Sequence, residues 1–319
     1  MKAEIGKNIE KAKSLLDKGK LVGIPTETVY GLAANALDKN AVLGIFEAKN
    51  RPKFDPLIIH IADIAEIEKY AYSDAILLKI AEKVWPGPLT LLLKRKDIIP
   101  DIVTSGLDQV AIRIPHHPLT LALLKSLDYP LAAPSANPFG YISPTRPEHV
   151  YDQLADKIDY ILDGGPCEIG LESTIIGMEN GILKIYRNGG FPIEEIREIY
   201  HGKIEMVEQS SSDPLAPGML KKHYSPNKIV RNIIDFKSGE HAPEKVGFLK
   251  FSRKSGEISP ENQFILSANE DLKEASQRLF EGLRYLDNLN IDIIFLENVP
   301  NNSLGLAIND RLKRAAASD

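Results

Sequence analysis

Cysteine is almost missing. Among 319 residues only Cys167 carries a thiol, so one chain can form neither an internal disulfide nor a thiolate metal cluster. The seven histidines are scattered and no HExxH pair occurs, which argues against a zinc centre, and no protein-bound metal is expected. Common nucleotide signatures are lacking too. No Gly-Lys precedes Ser or Thr, and neither G-x-G-x-x-G nor G-x-S-x-G occurs. A nucleotide, if bound, is not held by a P-loop or a dinucleotide turn. Basic charge is not in excess: 39 Lys and Arg face 44 Asp and Glu, a net charge of −5, unlike a globally basic nucleic-acid binder. No run approaches the roughly 18 apolar residues of a membrane span. The opening stretch is charged throughout with no apolar leader pattern, so a cytoplasmic location is expected.

What is present is an ordinary globular composition, 43% hydrophobic and 26% charged, too apolar for a disordered chain. The length favours about two domains. Ile5, Ile9, Ala12, Leu15 and Leu16 predict a helix over 4–18. Leu21–Ile24 reads as a buried strand stopped by Pro25. Asp38 is placed to cap a helix carrying Ala41, Val42, Ile45 and Phe46. Strands are expected at 57–61, 89–93, 110–114, 131–133 and 160–162, with helices at 74–84, 118–127 and 147–156. Asn180-Gly181 is a hairpin signal between strands at 174–178 and 182–186. Crossovers combined with a hairpin indicate an α/β fold with a mixed twisted sheet. After about residue 205 the texture changes. Residues 209–214 read as linker, and 216–231 contain basic but no acidic residues. Strands at 246–251 and 291–296 with helices at 270–286 and 305–316 describe a smaller, Rossmann-like α/β unit. The expected division is 1–205, a connecting segment 206–227, and 228–319.

Four clusters could carry chemistry. Pro25-Thr26-Glu27-Thr28-Val29-Tyr30-Gly31-Leu32 turns a strand into a hydroxyl-rich mouth, and Lys49, Arg51 and Pro56-Leu57-Ile58-Ile59-His60 follow it. Lys49 either answers a helix dipole or meets a ligand anion, whereas Arg51 lies past the helix and is free to aim elsewhere. His60 ends an apolar strand, either as a satisfied core residue or as a ligand contact. Arg113, in Ala111-Ile112-Arg113-Ile114-Pro115, interrupts a buried strand. A desolvated guanidinium needs an anion, either an internal acid or a ligand's carboxylate or phosphate. Ala133-Pro134-Ser135-Ala136-Asn137-Pro138 and Ser143-Pro144-Thr145 place small and hydroxylated residues at a strand end, as turn chemistry or as a ligand edge reader. Glu172-Ser173-Thr174-Ile175 and Arg187-Asn188-Gly189-Gly190 complete the set.

Taken in order, P-T-E-T-V-Y-G-L, K-x-R-P, P-L-I-I-H, A-I-R-I-P, A-P-S-A-N, S-P-T, E-S-T-I, R-x-G and P-G-M-x-x-x-H-Y-S-P resemble the threonylcarbamoyl-AMP synthases. These are YrdC-like proteins, here in the form with a C-terminal extension, whose closing signature resembles residues 305–316. The resemblance spans nearly the whole chain. It implies that ATP with Mg²⁺, L-threonine and bicarbonate (or CO₂) give threonylcarbamoyl-adenylate and pyrophosphate. A separate transferase complex then modifies the adenosine beside the anticodon of ANN-decoding tRNAs. By similarity, Thr28, His60, Arg113 and Ser173 hold threonine, with Arg113 on its carboxylate. Arg51, Ser135, Asn137, Ser143 and Arg187 hold ATP, with Lys49 near its phosphates. No covalent nucleophile is implied. The segment 213–226 has the reach to cover the site, with Pro214, Pro217 and Gly218 as hinges and His223 and Tyr224 touching the ligand; its plainer reading is a linker. Asp55 departs from the asparagine common at that place, and a carboxylate there either meets Mg²⁺ or points away. Two other readings were weighed. An RNA-binding module is disfavoured by the net charge, although weak RNA binding stays open. A hydrogenase-maturation carbamoyl transferase is disfavoured because one cysteine cannot supply its zinc finger.

Overall fold

The computed structural model describes residues 2–207, 215–219 and 223–317. The linker residues 209–214, Pro214 among them, and Lys221 and Lys222 of the expected cover lie outside the described residues.

Eleven strands share one mixed sheet. From edge to edge they are Glu4–Gly6, Tyr160–Leu162, Val22–Ile24, Gly31–Asn35, Leu131–Ala132, Ile58–His60, Gln109–Arg113, Leu89–Lys94, Thr174–Glu179, Ile182–Arg187 and Ile204–Met206. The central strands are almost wholly buried, because helices cover a sheet whose strands are apolar on both faces. Ile58–His60 runs parallel to Gln109–Arg113 and antiparallel to Leu131–Ala132. The parallel register sets His60 opposite Arg113, so two polar residues read from distant motifs end side by side. The hairpin forms as expected: Asn180 (φ 51°) and Gly181 (φ 77°) both take the left-handed conformation a tight two-residue turn requires. Asp38 and Asp74 cap their helices through backbone N–H groups, as such residues should.

One expectation needs correction. The helix does not begin at residue 4. Asn8 caps Ile9–Asp17, while Glu4–Gly6 pairs in parallel with Tyr160–Leu162 as an edge strand. Gly31–Asn35 is also a strand, antiparallel to Val22–Ile24. Its Gly-Leu-Ala-Ala-Asn sequence has little strand propensity, and pairing on both sides holds it.

A second sheet of four parallel strands follows in the spatial order Ile229–Asn232, Ile293–Leu296, Val246–Lys250, Gln263–Ile265. Helices Leu272–Asn288 and Leu304–Ala315 accompany it. The two units are packed together. Val29, Ile142, Leu171 and Tyr224 share one apolar cluster with Leu279, Phe280, Leu283 and Leu312, each large side chain contributing about 1.5–3 kcal/mol on burial. Polar bonds line the same seam. Asp287 accepts from the Tyr141 hydroxyl at 2.6 Å and from the Asn227 N–H at 2.9 Å, and Ser276 donates to the Ile169 carbonyl at 2.8 Å. Among the described residues, no helix is long and apolar enough to cross a membrane.

Candidate active site

The site is built where strands of the large sheet end. Past Val22–Ile24 and Pro25, the chain turns on Thr26. Its hydroxyl donates to the Val29 carbonyl at 2.6 Å and accepts from the Thr28 and Val29 N–H groups, both at 3.2 Å. That turn fixes Thr28, whose hydroxyl accepts from Arg113 Nη1 at 2.9 Å. Arg113 also donates through Nε to the Gly87 carbonyl at 3.1 Å and sets Nη2 against Glu27 Oε1 at 2.7 Å. Both side chains of the pair are almost fully buried, so Glu27 is the internal acid that a buried guanidinium requires. The Nη2 contact is close but not aligned as a hydrogen bond. His60, beside it, is neutral: burial first, then repulsion from Arg113, brings its pKa down to about 3. Its Nδ1 has no partner.

A second group surrounds Arg187 and Arg51. Arg187 donates to the Ser173 carbonyl at 3.0 Å, the Ser173 hydroxyl at 3.1 Å and the Pro217 carbonyl at 3.2 Å. Burial lowers its pKa to about 10, which leaves it charged at neutral pH. Arg51 follows Asn50, whose left-handed backbone (φ 51°) ends the helix Lys39–Lys49. It donates to the Asp55 and Pro56 carbonyls at 3.1 and 2.8 Å and pairs with the Asp55 carboxylate at 2.9 Å. Burial raises the Asp55 pKa while Arg51, Lys49 and the Gly218 N–H oppose the rise. The carboxylate thus has an arginine for its partner.

The described residues of the connecting segment are seated on the large sheet. Ala216 and Met219 bury their side chains against Ile58, Leu92, Ala111, Ile175 and Tyr186 of the large sheet. Gly218 sits at φ +75°, and a Cβ there would come within 2.8 Å of Arg187 Nη1, so backbone freedom and close approach both demand glycine. His223 and Tyr224 stack edge to face at 4.1 Å. Burial, then Arg314, Arg51, Lys49 and Arg311, push the His223 pKa well down.

These side chains enclose one cavity. Thr28, His60, Arg113 and Ser173 line it, as do Arg51, Ser135 and Arg187, with Pro217, Gly218, His223 and Tyr224 forming its cover side. Counted out to its open mouth, it spans about 590 Å³ of space. Three of the expected residues stand behind the walls. Lys49 donates to the Ser135 carbonyl at 2.6 Å and to the Asn137 carbonyl, tying the helix end to that turn. Burial, then Arg51, lowers its pKa well below the usual lysine value. Asn137 donates to the Pro138 and Tyr141 carbonyls at 2.8 and 2.9 Å. Ser143 donates to Glu172 at 2.6 Å.

The comparisons decide the family. The profile described as telomere recombination, covering Sua5, YciO and YrdC proteins, matches residues 14–189. The one described as threonylcarbamoyl-AMP synthase, C-terminal domain, matches residues 191–317. A Pyrococcus abyssi threonylcarbamoyl-AMP synthase is 40% identical over 96% of this chain and 93% of its own. The chain belongs to the threonylcarbamoyl-AMP synthase family. A Bacillus subtilis member is also 40% identical, over 97% of this chain and 92% of its own. The crystal structure of P. abyssi Sua5 complexed with L-threonine superposes with a TM-score of 0.87 at 39% identity, covering 97% of this chain and 94% of that one. The α/β fold read from the synthase motifs is the fold of that relative.

Sequence reasoning passed over four charged residues. Glu27 and Glu172 lay inside quoted motifs without a role, and Arg311 and Arg314 lay inside the closing signature. Arg311 could have been flagged: it is in helical phase with Ala307, Ile308 and Ala315, which are buried, and a cation on an apolar stripe requires an internal anion.

Proposed function

We propose that this cavity makes threonylcarbamoyl-adenylate and pyrophosphate from ATP, L-threonine and bicarbonate. The observation that carries the reading is the gathering of Arg51, Arg113 and Arg187 around one covered space in a chain of this family. Three anionic reactants need fixed cations that do not have to reorganise when charge shifts.

In this reading threonine lies toward the floor. Arg113 takes its carboxylate through Nη2, held in place by Glu27 and Gly87. Thr28, Ser173 and neutral His60 supply uncharged polar contacts, so the amine meets no competing positive charge from the imidazole. ATP lies toward the cover, against Arg51, Ser135 and Arg187. Asn137, Ser143 and Lys49 shape the turn and wall behind it. The threonine amine, as the free base, attacks bicarbonate and a C–O bond breaks, the hydroxyl leaving as water with one amine proton; with CO₂ the same amine adds and gives up a proton, and either route yields the carbamate. A carbamate oxygen then attacks the α-phosphorus, and the P–O bond to pyrophosphate breaks. Holding a short-lived carbamate beside ATP is proximity work, and the cover over 213–226 keeps water from both carbamate and adenylate. Among the described residues, no group of three or more His, Cys, Asp or Glu could hold a metal. Glu27, Asp55 and Glu172 each face a guanidinium. In this reading Mg²⁺ enters on the phosphates of the nucleotide, as part of the substrate. The division at 1–205, 206–227 and 228–319 then reads as catalytic unit, cover and extension, working in the cytoplasm and passing product to a tRNA-modifying transferase complex.

The test is chromatography of ATP incubated with Mg²⁺ and the protein, omitting threonine or bicarbonate in turn. A new adenylate and pyrophosphate should appear only when both are present. Product formed without threonine would overturn the reading.

A further inference from the structure

The strand Leu89–Lys94 sends Leu89, Leu91 and Leu93 into the main apolar core, while Leu92 joins Ile58, Ala111 and Ile175 on the other face of the sheet. Thr90 shares that second face with Leu92. It pairs in register with Ile175 and is fully buried. A hydroxyl in such a place costs free energy unless it is bonded, and valine has the same shape without one. Among the described residues, the Thr90 side chain has one hydrogen-bond partner, Ser173 Oγ at 2.7 Å.

That bond has a direction. Were Ser173 the donor, the Thr90 proton would be left buried without an acceptor, so Thr90 donates. Ser173 Oγ also accepts from Arg187 Nη2 at 3.1 Å. Both of its lone pairs are then taken, and its own proton is left for the cavity that Ser173 lines. Thr28, which lines the same cavity, is fixed in the opposite sense. Thr26 gives its single proton to the Val29 carbonyl, so in the 2.8 Å contact between the Thr26 and Thr28 hydroxyls Thr28 is the donor. Thr28 accepts from Arg113 and keeps one lone pair for the cavity.

We propose that Thr90 is a positioning residue of the active site: it holds Ser173 as a hydrogen-bond donor, so that the floor offers the amino-acid substrate one donor, Ser173, and one acceptor, Thr28. An amine N–H is received by Thr28, and an oxygen of the same amino acid receives the Ser173 proton. A hydroxyl that already accepts hydrogen bonds is polarised into a better donor. One whose proton is already aimed loses little freedom when the ligand arrives. The inference rests on reading the cavity as the threonine site.

The experiment uses the full chain with Thr90→Val, which removes the hydroxyl at nearly constant shape, and Thr90→Ser, which keeps it. L-Threonine binding is read by titration calorimetry, and KM and kcat from pyrophosphate release. For Thr90→Val we expect Kd and KM for threonine to rise about tenfold, the loss of about one hydrogen bond. The KM for ATP should move by less than about twofold, because Arg187 keeps its bond to the Ser173 carbonyl. Thr90→Ser should recover most of the lost affinity, which a packing role for the Thr90 methyl would not allow. Added to Ser173→Ala, Thr90→Val should cost less than about a further twofold, since Thr90 acts only through Ser173. Wild-type threonine affinity in Thr90→Val would overturn the proposal, as would the full loss repeated on top of Ser173→Ala. Should Thr90→Val not fold, Thr90→Ala beside Thr90→Ser carries the same comparison. If the wild type itself binds no threonine, the functional reading fails instead.

Discussion

The floor and the cover of the cavity are made differently. Around Arg113 the charge is balanced inside the first unit. Glu27 lies at the turn after Val22–Ile24, three strands intervening in the sheet order, and every contact is braced by a strand end or a tight turn. Around Arg187 the third donor reaches Pro217 of the cover, and the aromatic residues above it lean on the second unit. A site that must recognise a small rigid amino acid benefits from a preorganised end. A site that must admit a triphosphate and release pyrophosphate needs a wall that can leave. One cavity can do both only if its two sides draw their stability from different parts of the molecule.

Substitutions on the two sides test that contrast. Arg113→Ala should have the largest effect, because it removes the proposed carboxylate contact and strands Glu27. Threonine-dependent pyrophosphate release should fall by more than a hundredfold, and urea unfolding should show a loss of about 3–5 kcal/mol. Undiminished activity would show that the floor does not read threonine through this arginine. His223→Ala should cut kcat/KM for ATP about tenfold while moving Tm by only a few degrees, since the ring lies on the cover. A large loss of Tm would mean that the cover is part of the core.

A third test concerns acid. His60 has a pKa of about 3 in the fold, against about 6.5 when unfolded. Between those values the unfolded chain binds the proton and the native one does not. Stability is therefore fully present above pH 6.5 and declines as pH falls toward 3. His60→Gln should remove about 1.4 kcal/mol per pH unit from that slope, measured as urea midpoints from pH 6.5 to 4.5. An unchanged slope would show that His60 is protonated in the fold. The smallest effect is expected for Gly218→Ala. It strains a left-handed position by about 1 kcal/mol and crowds Arg187, so KM for ATP should rise a few-fold while Tm falls by no more than a few degrees.

The floor was far more legible in the sequence than the seam between the two units. Thr28, His60 and Arg113 sit in short apolar motifs where a polar residue stands out, and strand ends naturally bring such positions together. The resemblance assigns Lys49 and Asn137 to ATP, and their side chains here donate to backbone carbonyls, a pairing that tertiary contacts alone decide. Glu27 and Glu172 gave no signal because the partner of a buried acid is set by tertiary register. Asp55 was ambiguous for the same reason, and Arg51 resolves it. Among the elements, Glu4–Gly6 was taken into a helix because Ile5 and Ile9 are in helical phase. Its strand pairing is with residues more than a hundred and fifty positions away. Ile229–Asn232 and Gln263–Ile265 are short edge strands with little apolar alternation, and the parallel neighbours that order them are distant in the chain.

The apolar cluster that contains both Val29 and Leu312 bears on how the molecule is made. A ribosome delivers the large sheet well before the final helix, so the opening turn must wait for the tail before it can finish packing. Contacts of such long sequence separation are slow to form. The nascent first unit thus spends its early life with that face wet, and Leu312, which packs against it, follows more than a hundred residues after the large sheet is complete.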